Sequence, residues 1–168
     1  MTDPRTSLFA RDFDDLEIGA RFVTQGRTLT ESDVGSFAGL TGDFHPQHTD
    51  ADWAEESVFG ERVAHGLLVL GLAAGLVPFD PERVLALRRV RDAVFKRPVY
   101  LGDTIHVEGR LAEVTPIDEA AGLVAIALTV SGGGGRTVAR IVVEVVWRRE
   151  GADGESDAAD SLSTSVPS

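Results

Sequence analysis

The chain has 168 residues, room for one domain with a sizeable core, and its 43% apolar and 26% charged residues are the balance of an ordinary soluble globular protein. A formal net charge of −11 argues against a nucleic-acid groove or an anionic membrane surface, both of which need a basic patch. The absence of cysteine removes disulfides, thiolate metal ligands and a cysteine nucleophile.

Met1 to Arg11 carries charges at Asp3, Arg5 and Arg11 and has no long apolar run, so it does not read as a signal peptide. The longest apolar stretch, Leu67 to Phe79, is about 13 residues, short of the ~20 that span a bilayer. A cytoplasmic protein is expected. Residues 1–12 read as an N-terminal segment and 13–149 as one domain. Residues 150–168 read as a tail, because Asp153, Glu155, Asp157 and Asp160 alternate with serine, alanine and glycine. Only Leu162 and Val166 are sizeable apolar groups there, too few to offset the entropy of ordering, so disorder is expected.

Within the domain, Arg21 to Leu29 reads as a strand. Thr30 then reads as a helix N-cap with Glu31 and Asp33 in the first turn. Val34, Phe37 and Ala38 follow at the spacing of one helix face, and Gly42 ends the helix. A polar loop from Asp43 to His48, kinked at Pro46, precedes a second short helix capped by Thr49 or Asp50 and running to about Ser57. Leu67 to Val77 is apolar all round, which predicts a helix buried on every side, stopped by Pro78 and Pro81. The remainder reads as strands: Val90 to Tyr100, Thr104 to Val114, Leu123 to Ser131 and Val138 to Arg149. Leu101-Gly102-Asp103 and the run Gly132 to Gly135 supply turns. One apolar helix followed by a series of antiparallel strands predicts an α+β domain, with the sheet wrapped round the helix.

The chemistry concentrates around the polar loop. A carboxylate and an imidazole converging on one water form a general acid–base pair, and Asp43 and His48 stand five residues apart on a loop stiffened by proline. Taken alone, such a pair is more often an ordinary polar turn. Gly66 opens the apolar helix, so its N–H, backed by the helix dipole, is suited to a developing oxyanion, or else the glycine serves only a tight entry to the helix. Lys96 and Arg97 are candidate holders of phosphate groups. Adjacent on a predicted strand, they should point to opposite faces, so that at most one faces a given groove. His65 is a weaker candidate for substrate contact and, like His106, reads more simply as a structural histidine. No metal-ligand pattern stands out.

Two ordered motifs carry a resemblance. Thr41-Gly42-Asp43-Phe44-His45-Pro46-Gln47-His48-Thr49-Asp50, followed by Val63-Ala64-His65-Gly66-Leu67-Leu68, resembles the MaoC-like dehydratases, which include R-specific enoyl-CoA hydratases. Their pattern is Gly-Asp-x-Asn-Pro-x-His-x-Asp, a short helix, then Ala-His-Gly. Phe13 to Gly19 and Phe95 to Thr104 fit the same family, so the likeness covers about Phe13 to Arg149. It implies a hot-dog fold, usually dimeric, and water addition to, or removal from, the 2,3 double bond of an acyl thioester to give the (R)-3-hydroxy product. By the match, Asp43 and His48 fall on the catalytic pair and Gly66 on the oxyanion-binding amide. No cofactor is implied beyond the coenzyme A of the substrate, and the expected partner is a second copy in a homodimer. His45 stands where the family has Asn, and Ala74 where some members have Ser. A carrier-protein-bound or unusual acyl group, a thioesterase on the same fold, and a non-catalytic subunit of a heterodimer are the competing readings.

Overall fold

A computed structural model describes residues 8–149. The expected tail at 150–168 lies outside the described residues. A 3₁₀ turn at Phe13–Asp15 leads into strand β1 (Arg21–Val23), strand β2 (Arg27–Thr28) and helix α1 (Glu31–Thr41). Two short helices follow, α2 (Pro46–Thr49) and α3 (Ala51–Glu55), and then the apolar helix α4 (Gly66–Leu76). Strands β3 (Val84–Phe95), β4 (Thr104–Pro116), β5 (Ala121–Gly132) and β6 (Arg136–Arg148) complete the domain.

The strands pair antiparallel in the order β1-β4-β5-β6-β3, with β2 also on β4. Alternation fixes the register. Val124, Ile126 and Leu128 face Val145, Val143 and Ile141 across β5 and β6, and all six are buried. A slip of one residue would carry that whole set to the outer face. Leu68, Val69, Leu70 and Ala73 of α4 pack into the same core as these strand residues, so the sheet covers one side of the helix. The α+β architecture read from the sequence is the observed one.

Four details differ from that reading. The expected strand at Arg21 to Leu29 is two short ones, because Thr24 interrupts it. Its Oγ1 accepts from Val107 N at 3.0 Å, replacing a ladder bond with a side-chain bond. The last helix is not buried on every side: Leu67 is 68% exposed, and Gly71 and Gly75 are exposed too. The strand expected from Val90 to Tyr100 instead starts at Val84 and stops at Phe95. Three register shifts and a left-handed Asp92 (φ 54°) break its period-2 pattern, which is why the alternation was illegible. Finally, the core begins before Phe13. Leu8 and Phe9 are buried, and Phe9 stacks on Trp147 with ring centroids 6.0 Å apart.

Candidate active site

Helix α1 begins with a reciprocal cap between Thr30 and Asp33 and ends at Gly42, whose left-handed backbone (φ 79°) returns its N–H to Ala38 O. The chain then turns sharply at Asp43. Asp43 Oδ1 accepts from His45 N at 3.3 Å, and His45 Nδ1 accepts from Gln47 N at 3.2 Å. His45 is thus the N-cap of α2, with Pro46 in the first turn where no N–H is needed. A side-chain acceptor is what this position requires, so histidine in place of asparagine preserves the turn. The segment expected to be a loop is therefore a helical turn that carries His48.

His48 is only 4% exposed. Its Nδ1 lies 2.7 Å from Val63 O. A carbonyl only accepts, so Nδ1 carries the proton and, in the neutral ring, Nε2 holds the lone pair. Nε2 stands 4.0 Å from Asp43 Oδ2 and 3.0 Å from the side-chain nitrogen of Gln47. Burial pushes the imidazole below its usual value. The Val63 carbonyl opposes that shift, the neighbouring His65 adds to it, Asp43 opposes it and His45 adds to it. Neutral His48 is the form this environment favours.

His65 caps the backbone of α4, and its Nε2 donates to the Asp43 carbonyl at 3.0 Å. That bond leaves its Nδ1 buried without a partner. The bond ties the carboxylate-bearing turn to the start of α4. Gly66 follows as the first residue of that helix, where an amide has no intrahelical acceptor. A Cβ at position 66 would lie 2.8 Å from Cε1 of Phe95, so the phenyl ring occupies the space that a side chain would take.

A cavity of about 530 Å³ joins these groups. Asp43, His48, His65 and Gly66 line its polar end, and Phe37, Phe59, Leu67, Val69, Phe95 and Val99 its apolar wall. Lys96 and Arg97 line it as well. Both lie past the end of β3, where Lys96 N and Arg97 N share the Val138 carbonyl, so strand alternation no longer separates them. The expectation that at most one of them faces the groove is corrected. Gln47, Phe37 and Phe95 also line the cavity; Gln47 and Phe95 lie within the family-like stretches, but none of the three was among the expected site residues. Ala74 is not among the lining residues. Ligand-type atoms of Asp43, His48 and His65 lie within 4.8 Å of one another. The two imidazoles are stacked, however, so their in-plane lone pairs do not converge on one point as metal ligation requires.

A family model described as "MaoC like domain" matches residues 15–132. The chain is 40% identical over 108 residues to "Protein MaoC" of Klebsiella aerogenes, covering 64% of this chain and 32% of that protein. It is 34% identical over 104 residues to a 3-hydroxybutyryl-CoA dehydratase of Methylorubrum extorquens, covering 62% of this chain and 66% of the relative. The chain thus spans less than two thirds of each of these relatives. Among solved structures, the R-hydratase PhaJ1 from Pseudomonas aeruginosa superposes with a TM-score of 0.68 at 29% identity, over 83% of this chain and 86% of that one. A Mycobacterium tuberculosis protein described as a double hotdogfold superposes with a TM-score of 0.74 at 22% identity. That match covers 87% of this chain and 46% of the other, and the fold here is accordingly a single hot-dog.

Proposed function

The chain belongs to the MaoC-like dehydratase family, and on that premise we propose that it hydrates the 2,3 double bond of an acyl thioester, with dehydration of the 3-hydroxyacyl thioester as the reverse. The observation that carries the reading is the 4.0 Å separation between Asp43 Oδ2 and the unprotonated Nε2 of buried His48, at the polar end of an apolar cavity. That distance is too long for a direct hydrogen bond, and one water at about 2.8 Å from each atom bridges it.

In the proposed reaction, Asp43 accepts one hydrogen bond from the water and orients it. His48 Nε2 removes the other proton as the oxygen bonds to the β-carbon. The π electrons move onto the thioester oxygen, where the Gly66 N–H and the positive end of α4 stabilise the enolate. The enolate then collapses and takes the proton from His48 Nε2 at the α-carbon, so one water is added and both residues return to their starting states. Carboxylate and imidazole thus have different jobs, set by their surroundings.

Three finer features belong to the same reading. The carrier is coenzyme A, with Lys96 and Arg97 at the cavity rim as its phosphate partners. The product is the (R)-3-hydroxyacyl thioester, a reading supported by the likeness to the R-hydratase of Pseudomonas aeruginosa. The assembly is a homodimer. Strand β3 ends the sheet with Leu87, Val90 and Phe95 each at least half exposed, and Leu67 stands open on α4, an apolar edge that a second copy would cover.

The deciding experiment follows absorbance of the conjugated thioester with crotonyl-CoA and a longer trans-2-enoyl-CoA, on wild type, Asp43→Asn and His48→Ala. Loss of absorbance in wild type, cut by about 10²–10⁴ or more in each variant with circular dichroism unchanged, is the expected result. Full turnover in both folded variants overturns the assignment.

A further inference from the structure

The position between Pro46 and His48 is open in the family pattern, and here it is glutamine. Gln47 places its side-chain nitrogen 3.0 Å from His48 Nε2 and lines the cavity. Because His48 Nδ1 gives its proton to Val63 O, Nε2 of the neutral ring is an acceptor, and the contact is a bond donated by the Gln47 amide. The opposite amide orientation would set two acceptors against each other.

An imidazole nitrogen has one in-plane lone pair. The Gln47 amide therefore occupies the acceptor that the proposed reaction needs for its water. We propose that Gln47 is a positioning residue that caps the base of the empty site and must give way before water is activated, thereby setting the basicity of His48. The cap favours the neutral ring, because only the neutral ring has a lone pair to accept it. The other groups that face this ring are Asp43 at 4.0 Å, His65 stacked at 3.8 Å and His45 at a ring separation of 6.3 Å. None of the three bonds directly to Nε2. Backbone bonds hold the turn itself, with Gln47 O accepting from Val63 N at 3.0 Å, so the side chain is not required for the local fold.

The test has two arms, of which only the second rests on the hydratase reading. In the first, the ring protons of His48, assigned by comparison with His48→Ala, are titrated by NMR in wild type, Gln47→Met and Gln47→Glu. Loss of the donor in Gln47→Met moves the His48 midpoint to higher pH by about 0.5. Gln47→Glu, which offers an acceptor and a charge to the protonated ring, moves it further. In the second arm, the acid limb of kcat/KM for crotonyl-CoA moves upward in the same order, while the plateau of Gln47→Met rises about two- to fivefold because the base is uncapped. A His48 midpoint in folded Gln47→Met that coincides with wild type overturns the proposal. A shifted midpoint with no turnover in any form sustains the cap and removes the hydratase reading instead.

Discussion

The imidazole of His48 lies against that of His65, with ring centroids 3.8 Å apart and planes 26° from parallel. Two rings this close cannot both be protonated without repulsion, and burial already disfavours charge on His48. The unfolded chain binds a proton at this residue near the ordinary value of about 6.5. The folded chain binds it only at lower pH. Between those two points the unfolded state holds more protons, so folding stability contributed here falls as pH drops through the unfolded value. Thermal denaturation should show wild type losing more stability between pH 7 and 5.5 than His48→Gln. Parallel slopes in the two proteins would show that His48 is not held neutral by the fold.

His65 tests the second consequence of the stack. His65→Phe retains a flat ring but loses the bond from Nε2 to the Asp43 carbonyl. The turn carrying Asp43 is exposed, and this bond anchors it to α4. A fall in kcat of about tenfold with a smaller change in KM is expected, since misplacement of a reacting group acts mainly on the chemical step. An unchanged kcat would assign His65 to packing alone.

Much of this site was legible because it is local. Thr30, Asp33 and Gly42 bound a helix by their own chemistry, and Asp43, His48 and Gly66 stand within one short stretch of chain. Across the middle of β5 and β6, Val124, Ile126 and Leu128 and their partners Val145, Val143 and Ile141 follow the period of two. What was illegible depends on contacts distant in sequence. Thr24 breaks a strand by bonding to Val107, Lys96 and Arg97 leave the sheet through Val138, and Phe95 reaches back to cover Gly66. Gln47 was missed for a different reason. Its role is set by which nitrogen of His48 is occupied by Val63, and no spacing rule reveals that.

Phe95 and Gly66 should couple. A methyl at position 66 meets Cε1, Cζ and Cδ1 along one edge of the phenyl ring, and Phe95 is 50% exposed, so the ring can turn aside at small cost in stability. Because Phe95 already lines the cavity, its displacement is expected to narrow it. Gly66→Ala should therefore keep its Tm within a few degrees while kcat/KM for an enoyl thioester falls about tenfold or more. Phe95→Ala in that background should recover much of the loss, as expected for residues in contact. Additive effects of the two substitutions would place the ring elsewhere during turnover.

The two basic residues at the cavity rim are not equivalent. Arg97 donates to the Thr137 carbonyl at 2.7 Å, so its reversal disturbs a backbone contact as well as charge. Lys96 is the cleaner probe. Lys96→Glu should raise KM for a CoA ester about tenfold with little change in kcat, and the difference should shrink with added salt. A KM independent of both the substitution and the salt would remove Lys96 as a phosphate partner.

The N-terminal segment holds the scaffold of the site. Phe9 is fully buried, with its ring 4.9 Å from Phe22, 5.5 Å from Phe79 and 6.0 Å from Trp147. Trp147 is also fully buried, and its Nε1–H donates to the Arg11 carbonyl at 3.0 Å. The segment therefore closes one end of the core through both packing and a hydrogen bond, joining β1, the turn after α4 and β6. Phe9→Ala removes a large ring from a site that rigid strands prevent from collapsing, at a cost of about 3–5 kcal/mol. Trp147→Phe leaves the Arg11 carbonyl without its partner and opens a smaller void, so it should cost less than Phe9→Ala. Urea unfolding of both variants checks the order. If Phe9→Ala unfolds at the wild-type midpoint, the domain begins at Phe13 after all, and the buried ring contributes nothing to its stability.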